Sequence, residues 1–393
     1  MSWPLVTLDS ICDKVDYGLT ASAIENDTGP RFLRITDLQN GTVDWNAVPS
    51  CNCSAKDVEQ YRLRRGDIVF ARTGATTGKS YLLEKMPLDS VFASYLIRVR
   101  PNSKVDPKFL SFFFKSQKYW QQILVMANGA AQPGVNSSKL KELAIPLPPL
   151  PEQKRIATIL DKADSLRRKN QQAIQLADKF LRAVFLDMFG DPVTNPKEWE
   201  AVKLGRVCDV GSSKRVFVNE FTDSGIPFYR GTEVGKLGDS ENIQPHLFIS
   251  NEHYENLKNH SGVPKIGDLL MPSICHDGRI WKVDDKAPFY FKDGRVLWIK
   301  VNQSLINSDY LKCYLKYLFL TNYSSIASGT TFAELKIVNL KDVSVFNPPL
   351  DLQIKFSAIT NKVIKNNEVI KSSIGKSDEM FSVLSQKAFA GKL

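Results

Sequence analysis

The sequence has little of what marks secreted, membrane or zinc-binding proteins. Its 393 residues include six cysteines and four histidines, and no His/Cys cluster has zinc-finger spacing. The start, MSWPLVTLDS, lacks the basic and apolar segments of a signal peptide. No apolar run approaches the roughly 20 residues that cross a bilayer. We therefore expect a cytoplasmic protein with reduced thiols, no metal site and no membrane contact.

Groups for catalysis are also scarce. Nuclease chemistry needs clustered carboxylates, and the nearest cluster, Asp284-Asp285-Lys286, has the character of a polar turn. The four histidines are His246, His253, His260 and His276, all in the second half of the chain. A duplicated active site would appear in both halves, so these patterns favour surface or core histidines and predict no catalytic residue.

What the chain does have is hydrophobic content and positive charge. Hydrophobic residues make up 43% of the sequence, which is enough for packed cores, and the length allows two or three domains. The formal net charge is +10. A basic surplus of this size favours a polyanionic partner such as nucleic acid, although solubility alone also explains it.

A long amphipathic helix is predicted from Pro151 to Phe189. Pro151 and Glu152 suit a first helical turn, and Gly190 and Pro192 form a stop signal. Small and apolar residues recur in alternating steps of three and four, which is typical of a helix with a partner along its length. The predicted seam contains Ile156, Ile159, Ala163, Leu166, Asn170, Phe180 and Val184. The polar Asn170 would fix the register, but one long packed helix with a tolerated Asn remains the alternative.

The chain repeats itself once. Trp199 lies 196 residues after Trp3, and Asp268 lies 201 residues after Asp67, and matched residues between them recur in the same order. The segment Pro348-Pro349-Leu350 likewise repeats Pro148-Pro149-Leu150. Matching order at one period indicates a duplication. Each copy is then a block of about 150 residues followed by a helix.

Each block is predicted to contain short strands and helices. In the first block the apolar runs at 32–35, 67–71, 80–83 and 95–99 suggest strands. Asp106-Pro107 opens a helical stretch whose aromatics are predicted to be core. The second long helix has a weaker stripe of apolar side chains along one face, and Gly375 interrupts this stripe. Pairing with the first helix would bury the apolar stripes of both helices. Its predicted seam residues are Phe356, Ile359, Val363 and Ile370. The alternative is that each helix packs only on its own block.

At this point the sequence resembles the DNA-specificity subunits of type I restriction-modification systems. The strongest matches are the segment LPPLPEQKRIATILDKAD and the junction DMFGDP followed by Trp199 and KLG. Supporting matches are FLRITDL, RGDIVFARTGATTGKS and NGAAQPGVNSSKLKELAIPLPPL. The resemblance covers nearly the whole chain, and the order and duplication of these segments make it specific.

The resemblance implies an α+β protein with two similar target-recognition domains, each a small mixed β-sheet with helices. Two long antiparallel helices would separate them about a pseudo-twofold axis. The expected boundaries are 1–150 and 191–350 for the recognition domains, 151–190 for the spacer helix and 351–393 for the C-terminal helix. In this family each domain reads half of a split, asymmetric site in double-stranded DNA, and the helices set the gap.

The resemblance also implies partners. Two methyltransferase subunits would dock on the helices, with restriction subunits where the system has them. S-adenosylmethionine would bind in those partners, and this chain would hold no cofactor and act as a non-catalytic subunit. Asn347-Pro348-Pro349-Leu350 is similar to the NPPY-type motif of amino-methyltransferases, but Leu350 replaces the aromatic residue that stacks on a flipped base. A stand-alone methyltransferase or nuclease, or a coiled-coil scaffold for other proteins, remains the alternative.

One glycine-rich loop resembles a phosphate-binding loop. Residues 74–80, GATTGKS, are one residue short of the GxxxxGK[ST] pattern, and the sequence after them predicts a strand, not a helix. The pattern therefore favours a glycine-rich hairpin loop with a structural role, and the alternative is that its Arg72, Thr73, Thr77 and Lys79 side chains face DNA phosphates. Its counterpart, residues 271–279, has different side chains, as expected of a specificity loop or of drift in an idle loop.

Polar and cationic side chains at the loops are the candidates for direct DNA contact. Arginine can bind guanine through O6 and N7, and glutamine can bind adenine through N6 and N7. The alternative for each residue is a structural or solvent role. The candidates in the first block are Arg34, Arg72, Thr73, Thr77, Lys79, Gln132 and Lys139, and those in the second block are Arg230, His276, Arg279 and Thr331.

Overall fold

The chain is divided into two compact units that share its long helices. A computed structural model describes residues 3–25, 29–38, 41–87, 89–127, 135–329 and 333–393. Unit 1 combines Met1–Gln172 with Lys371–Leu393, and unit 2 is Ala173–Ile370. Each unit is described by itself below.

The described residues of unit 1 form ten short strands in three sheets. They are β1 (Leu5–Thr7), β2 (Cys12–Tyr17), β3 (Ala23–Ile24), β4 (Arg31–Leu33), β5 (Ser50–Cys51), β6 (Ile68–Ala71), β7 (Ser80–Leu82), β8 (Ser90–Phe92), β9 (Leu96–Pro101) and β10 (Ala144–Pro146). One sheet has the antiparallel order β2-β9-β6-β7, a second has the order β3-β5-β4-β8, and β1 pairs with β10. Strands β4 and β8 are parallel, so the second sheet is mixed, as predicted.

The short helices of unit 1 carry its aromatic core. They are α1 (Ala55–Tyr61), α2 (Pro107–Phe113), α3 (Gln117–Ala127) and α4 (Ser137–Lys141). The predicted helical stretch after Asp106 is split into α2 and α3, because the Ser116 hydroxyl accepts a hydrogen bond from the Tyr119 N–H and starts a new helix. The phenylalanines of α2 and Tyr119 of α3 are buried and the half-buried Trp120 packs against them, which confirms that these aromatics belong to the core.

Unit 2 repeats this architecture. After the long helix α5 (Leu150–Phe189) come the strands β11 (Ala201–Lys203), β12 (Cys208–Gly211), β13 (Phe221–Thr222), β14 (Ile226–Tyr229), β15 (Phe248–Ile249), β16 (Leu269–Pro272), β17 (Trp281–Lys282), β18 (Tyr290–Phe291), β19 (Val296–Val301) and β20 (Ser344–Phe346). The helices are α6 (Leu204–Val207), α7 (Gly231–Gly238), α8 (Asn251–Ser261), α9 (Ser308–Asn322) and α10 (Ile337–Asp342), and the second long helix is α11 (Leu350–Phe389).

The two units have the same strand connectivity. The sheets β12-β19-β16-β17 and β13-β15-β14-β18 and the pair β11-β20 reproduce the three sheets of unit 1 strand for strand. The parallel pair recurs as β14 with β18. The duplication seen in the sequence is therefore a duplication of fold, and the α+β class with two similar halves is confirmed.

Each long helix contributes its two halves to different units. Helix α5 begins in unit 1 and ends in unit 2, and α11 does the reverse. Helix α11 is continuous through Gly375, where an added Cβ would meet open space. The glycine that interrupts the apolar stripe therefore does not break the helix, and it costs this exposed turn only about 1 kcal/mol relative to alanine.

One buried glutamine joins the start of each long helix to its own block. In unit 1, the Gln153 side chain accepts a hydrogen bond from the Asp106 N–H at 2.8 Å and donates to Pro148 O at 2.8 Å and to Lys104 O at 3.1 Å. In unit 2, Gln353 accepts from the Asn307 N–H at 2.8 Å and donates to Pro348 O at 2.7 Å. We call each of these two sets of glutamine hydrogen bonds a clasp. The clasps confirm that the proline segments lead into the long helices.

An indole holds the end of a long helix in each unit. Trp3 Nε1 donates to Ala388 O at 3.0 Å in unit 1, and Trp199 Nε1 donates to Phe189 O at 2.9 Å in unit 2. Carbonyls in the last turn of a helix lack the usual partner four residues on, and the indoles supply a donor; Ala388 O also accepts from the Gly391 N–H at 3.2 Å. Each unit thus holds the start of one long helix and the end of the other.

No helix among the described residues is both long and apolar enough to cross a membrane. The six cysteines are free thiols. The residue boundaries predicted for the recognition domains remain a prediction.

Replacing Gln153 with methionine should destabilise unit 1. The change keeps the side-chain length but leaves the Asp106 N–H and Pro148 O buried without partners, which should lower the free energy of unfolding by about 2–4 kcal/mol. Urea denaturation of the full chain measures this loss. Gln171→Met, at an exposed position of the same helix, is the matched control and should change the stability little. Equal stability of the two variants would contradict the role of the clasp.

Candidate nucleic-acid interface

In unit 1, four chain segments meet at one end of the sheet β2-β9-β6-β7. The Arg72 N–H donates to Tyr95 O at 3.2 Å, and Arg72 O accepts from the Val135 N–H at 3.1 Å. Next to them, the Leu19 N–H donates to Phe92 O at 2.8 Å. These bonds bring the end of β2, the loop between β6 and β7, the turn before β9 and the segment before α4 to one surface.

The glycine-rich loop of this surface is a hairpin, as predicted. Its amides are used within the loop: Gly78 N–H donates to Ala71 O, Thr77 N–H to Gly74 O and Lys79 N–H to Thr76 O, at 2.9–3.1 Å. A phosphate-binding loop needs such amides free to point at the ligand and a helix after them. Here strand β7 follows, so the loop lacks the geometry of a nucleotide-phosphate cradle.

The predicted contacts of this loop differ in their surroundings. The Arg72 guanidinium lies over the Tyr17 ring, with Cζ 4.9 Å from the ring centroid. Thr73 and Lys79 are exposed, and the Thr77 hydroxyl donates to Gly74 O at 2.7 Å. The three exposed or half-exposed polar groups can reach a ligand, whereas the Thr77 proton is already used inside the turn.

The other candidates of the first block are held by neighbours or lie outside the described residues. Arg34 makes two side-chain hydrogen bonds to the Asp37 carboxylate, at 2.8 and 3.1 Å. Lys139 Nζ donates to Met126 O at 2.6 Å. Gln132 lies outside the described residues. The structure therefore shows structural partners for Arg34 and Lys139, and their contact with DNA remains a prediction.

Unit 2 builds the same frame with other side chains. The Ser273 N–H donates to Arg295 O at 2.9 Å, and Ser273 O accepts from the Leu335 N–H at 2.7 Å. Ser273 thus takes the place that Arg72 occupies in unit 1. The two positions make equivalent backbone hydrogen bonds, but the side chain is a cation in unit 1 and a hydroxyl in unit 2.

The predicted arginines of unit 2 are paired with carboxylates. Arg230 lies 2.9 Å from Glu233, and the Arg279 Nε lies 2.5 Å from Asp277. A Cβ added at Gly235 of α7 would come within 3.1 Å of the Arg279 guanidinium, so α7 packs closely on this side chain. His276 is exposed and makes an edge contact with the Tyr323 ring, with centroids 6.2 Å apart. Thr331 lies outside the described residues.

The Arg230 pair also changes the acidity of its partner. Burial alone would raise the pKa of Glu233, but hydrogen bonds from the Arg230 side chain and backbone outweigh it and lower the pKa. The Arg230 N–H donates to the same carboxylate at 2.9 Å, which caps the start of α7. Asp37 receives the equivalent backbone bond from Arg34 at 2.8 Å in unit 1.

Sequence reasoning missed four residues of these surfaces. Tyr17 supports Arg72, and Tyr95 is 65% exposed beside it. In unit 2, Arg215 pairs with Asp293 at 3.1 Å and Arg295 pairs with Glu334 at 3.0 Å. Their positions depend on which loops the sheet brings together. Only the duplication, which aligns Arg295 with Tyr95, gave a signal for any of them.

The seam between the long helices is polar at its middle in unit 1. Asn170 Nδ2 donates to Ser373 Oγ at 3.1 Å, and the Arg167 guanidinium lies over the Phe381 ring. Arg155 lies 2.8 Å from Leu393 O. Residue numbers rise along α5 as they fall along α11, so the helices are antiparallel here. Asn170 is thus part of a cross-helix bond.

The predicted seam residues divide by burial. Ile156, Ala163 and Phe356 are buried in the cores, and Ile159, Asn170, Val184, Ile359, Val363 and Ile370 are half-buried. Leu166 and Phe180, in contrast, are 45% and 51% exposed. Leu160 and Phe185 are fully buried instead. Leu160 and Phe185 each follow a predicted seam residue by one position. A helix has 3.6 residues per turn, so a strict alternation of three- and four-residue steps can select a neighbour of the residue that faces inward.

The residues excluded from chemistry stay unclustered in the structure. Among the described residues, no group of three or more His, Cys, Asp or Glu is placed to hold a metal ion. Asp284 and Asp285 lie on an exposed loop after β17. Pro348 and Pro349 lead into α11, and Pro348 O accepts from Gln353. The arrangement can bind through cations, hydroxyls and aromatic rings, and these are groups for recognition.

Comparison with known proteins gives one consistent result. The family described as "Type I restriction modification DNA specificity domain" matches twice, over residues 2–176 and 196–376. A Methanocaldococcus jannaschii protein, named provisionally as a type I restriction enzyme specificity subunit, is 27% identical in an alignment of 376 positions that covers 89% of this chain and 84% of that protein.

Two solved structures share the fold. The S subunit of a type I restriction-modification system from M. genitalium has a TM-score of 0.60 at 17% identity, over 99% of this chain and 96% of that one. A chain from a structure describing assembly and conformational transition of a type I restriction-modification system has a TM-score of 0.53 at 19% identity, over 100% and 98%.

Glu233→Gln should make unit 2 less stable at neutral pH. A carboxylate whose pKa is lowered in the folded state contributes stability above its unfolded pKa, near 4.3, and loses it as the pH falls through the lower folded value. The difference in thermal midpoint between the wild type and the variant should therefore shrink below about pH 4. Thermal unfolding across this range measures it. Glu379→Gln, an exposed position of α11, is the control, and a difference independent of pH would contradict the linkage.

Proposed function

The chain belongs to the family of type I restriction-modification DNA specificity proteins, and from that premise we propose that its two units read the two halves of a split, asymmetric site in double-stranded DNA. It is a non-catalytic specificity subunit of a type I restriction-modification system and recognises DNA sites. One observation carries the split site: the same backbone frame occurs in both units, with Arg72 in one and Ser273 in the other.

The chemistry of the two surfaces supports different half-sites. Unit 1 presents Arg72, Thr73 and Lys79, whereas unit 2 presents His276 and arginines paired with carboxylates. Base edges are distinguished by their pattern of donors and acceptors, so two surfaces with different donors and acceptors favour different sequences. The net charge of +10 supplies the attraction to phosphates that any such site needs.

Two methyltransferase subunits are the proposed protein partners, with restriction subunits where the system has them. A structure similar to this chain describes the assembly of a type I restriction-modification system. The long helices here expose the apolar side chains of Leu166, Phe180 and Val369, and these are the candidate contacts for such subunits. S-adenosylmethionine would bind in the methyltransferase subunits, and the complex would act in the cytoplasm, where its DNA is.

The long helices are proposed to set the gap between the half-sites. Each is one continuous element of 40 residues, which corresponds to about 60 Å at about 1.5 Å per residue. Modules that read one face of B-DNA must match its turn of about 34–36 Å or a multiple. A rigid pair of helices meets this requirement, whereas a flexible linker would allow many gaps.

Methylome sequencing of cells that carry the intact complex tests the proposal. The expected result is methylation within one motif made of two different short sequences with a constant gap. Deleting the gene for this chain should abolish that methylation and leave other motifs unchanged. A continuous motif, or two identical half-sites, would contradict reading by two different units.

Insertion of one heptad into both long helices should lengthen the gap. We would place the insertions after Gln172 in α5 and before Lys371 in α11, so that the Asn170–Ser373 bond is kept. Seven residues add about 10 Å, or about three base pairs at 3.4 Å each. The methylated motif should change its gap and keep both half-sites.

Seven residues inserted between Asp285 and Lys286, in an exposed loop, are the control for this experiment. That variant should keep the original gap. If the helix insertions left the gap unchanged while methylation persisted, the helices would not set the spacing.

A further inference from the structure

Arg72 is fixed at three points, unlike the other polar side chains of its loop. Its N–H donates to Tyr95 O, its carbonyl accepts from the Val135 N–H, and its guanidinium lies over the Tyr17 ring. A stacked guanidinium loses little conformational freedom when it binds, because its plane is already set. The position of this cation is therefore defined before any ligand arrives.

Tyr17 is itself held in place. Its hydroxyl oxygen accepts a hydrogen bond from the Ser137 N–H at 3.1 Å, at the start of α4. Burial alone would raise the pKa of Tyr17, but this hydrogen bond and the charge of Arg72 outweigh it and lower the pKa. The ring is thus anchored at its far edge while its face supports the guanidinium.

Within the part of the chain that the structure describes, the charge of Arg72 is not offset by a neighbouring carboxylate. No carboxylate of the described residues lies within ion-pair distance of it, and nearby Asp16 is engaged by the buried Arg98. The arginines of the unit 2 surface are different. Arg215, Arg230, Arg279 and Arg295 each have a carboxylate within 3.1 Å. Among these arginines, Arg72 alone is both oriented and unneutralised.

We propose that Tyr17 is a positioning residue that presents Arg72 to the O6 and N7 atoms of one guanine in the half-site of unit 1. This inference rests on the proposed function and names the base that this surface reads. A planar guanidinium donates two parallel N–H groups, which match the two acceptors of guanine in the major groove. A phosphate would also accept from Arg72, but it would not need the plane of the guanidinium to be fixed. The two cases differ in a measurable way.

The test uses duplexes of the methylated motif in which one guanine at a time is replaced by 7-deazaguanine. The replacement removes the N7 acceptor and leaves pairing intact. The replacement should weaken binding of the duplex by the intact complex at only one guanine of one half-site. The loss of affinity should not exceed the roughly 5- to 150-fold that a bidentate contact contributes. The Arg72→Ala complex should bind the normal duplex more weakly than the wild type does. Its affinity should be the same for the duplex with 7-deazaguanine at that position.

Tyr17 variants test the positioning role. Tyr17→Leu removes the ring and should reduce the penalty of the 7-deazaguanine, because the guanidinium is no longer held in one plane. Tyr17→Phe keeps the ring and should retain most of the penalty. The double variant Tyr17→Leu/Arg72→Ala should bind no more weakly than Arg72→Ala alone, since both changes remove one contact.

Lys79→Ala and Arg295→Ala are the matched controls. Lys79 is an exposed cation of the same loop, so its loss should reduce the log–log salt slope of binding by about 0.9 if it contacts a phosphate, and leave the 7-deazaguanine penalty unchanged. Arg295 belongs to unit 2, so its loss should leave the unit 1 half-site unaffected.

Three results decide the question. The proposal is overturned if the wild type shows no position whose 7-deazaguanine penalty disappears in Arg72→Ala. It is also overturned if Arg72→Ala changes only the salt slope, which is the signature of a phosphate contact. If the wild-type complex has no preference for the motif over random duplex, the proposed function itself fails, and this outcome is distinct from the first two.

Discussion

The structure depends on two buried glutamines, one at the start of each long helix. Gln153 and Gln353 each accept from the N–H of the residue that caps an earlier helix of the block, α2 or α9, and each donates to the carbonyl of a preceding proline. A buried amide of this kind is stable only when all these partners are in place. The direction in which each long helix leaves its unit is therefore set by polar bonds as well as by packing.

This constraint explains why the loops can differ while the fold repeats. The backbone bonds around Arg72 recur around Ser273, and both belong to sheets of the same connectivity. Because the frame consists of backbone groups, a change of side chain at either position leaves it intact. Tyr17 illustrates the limit, because the strand register places Ser212 at its position in unit 2, where the Ser212 hydroxyl donates to Val296 O at 2.7 Å.

Much of the fold was predictable, and the details of the surfaces were not. Duplication, the two long helices and the burial of the aromatics after Asp106 follow from patterns that repeat along the chain. The alternation of apolar residues predicts Leu166 and Phe180 in the seam, but both residues are about half exposed, because helical periodicity fixes a face only to within about one residue. The pairing of Arg279 with Asp277, or of Arg295 with Glu334, depends on side-chain geometry and on distant segments that no local pattern reports.

The ion pairs of unit 2 have a consequence for how its surface can bind. Moving the Arg230 or Arg279 guanidinium onto a phosphate would break a short contact with Glu233 or Asp277, whereas keeping the contact leaves the remaining N–H groups in fixed directions. A paired arginine also adds less to the long-range field than a free one, because its carboxylate offsets the charge. We therefore expect the paired arginines of unit 2 to contribute less long-range attraction to DNA than Arg72 of unit 1, which has no carboxylate partner among the described residues.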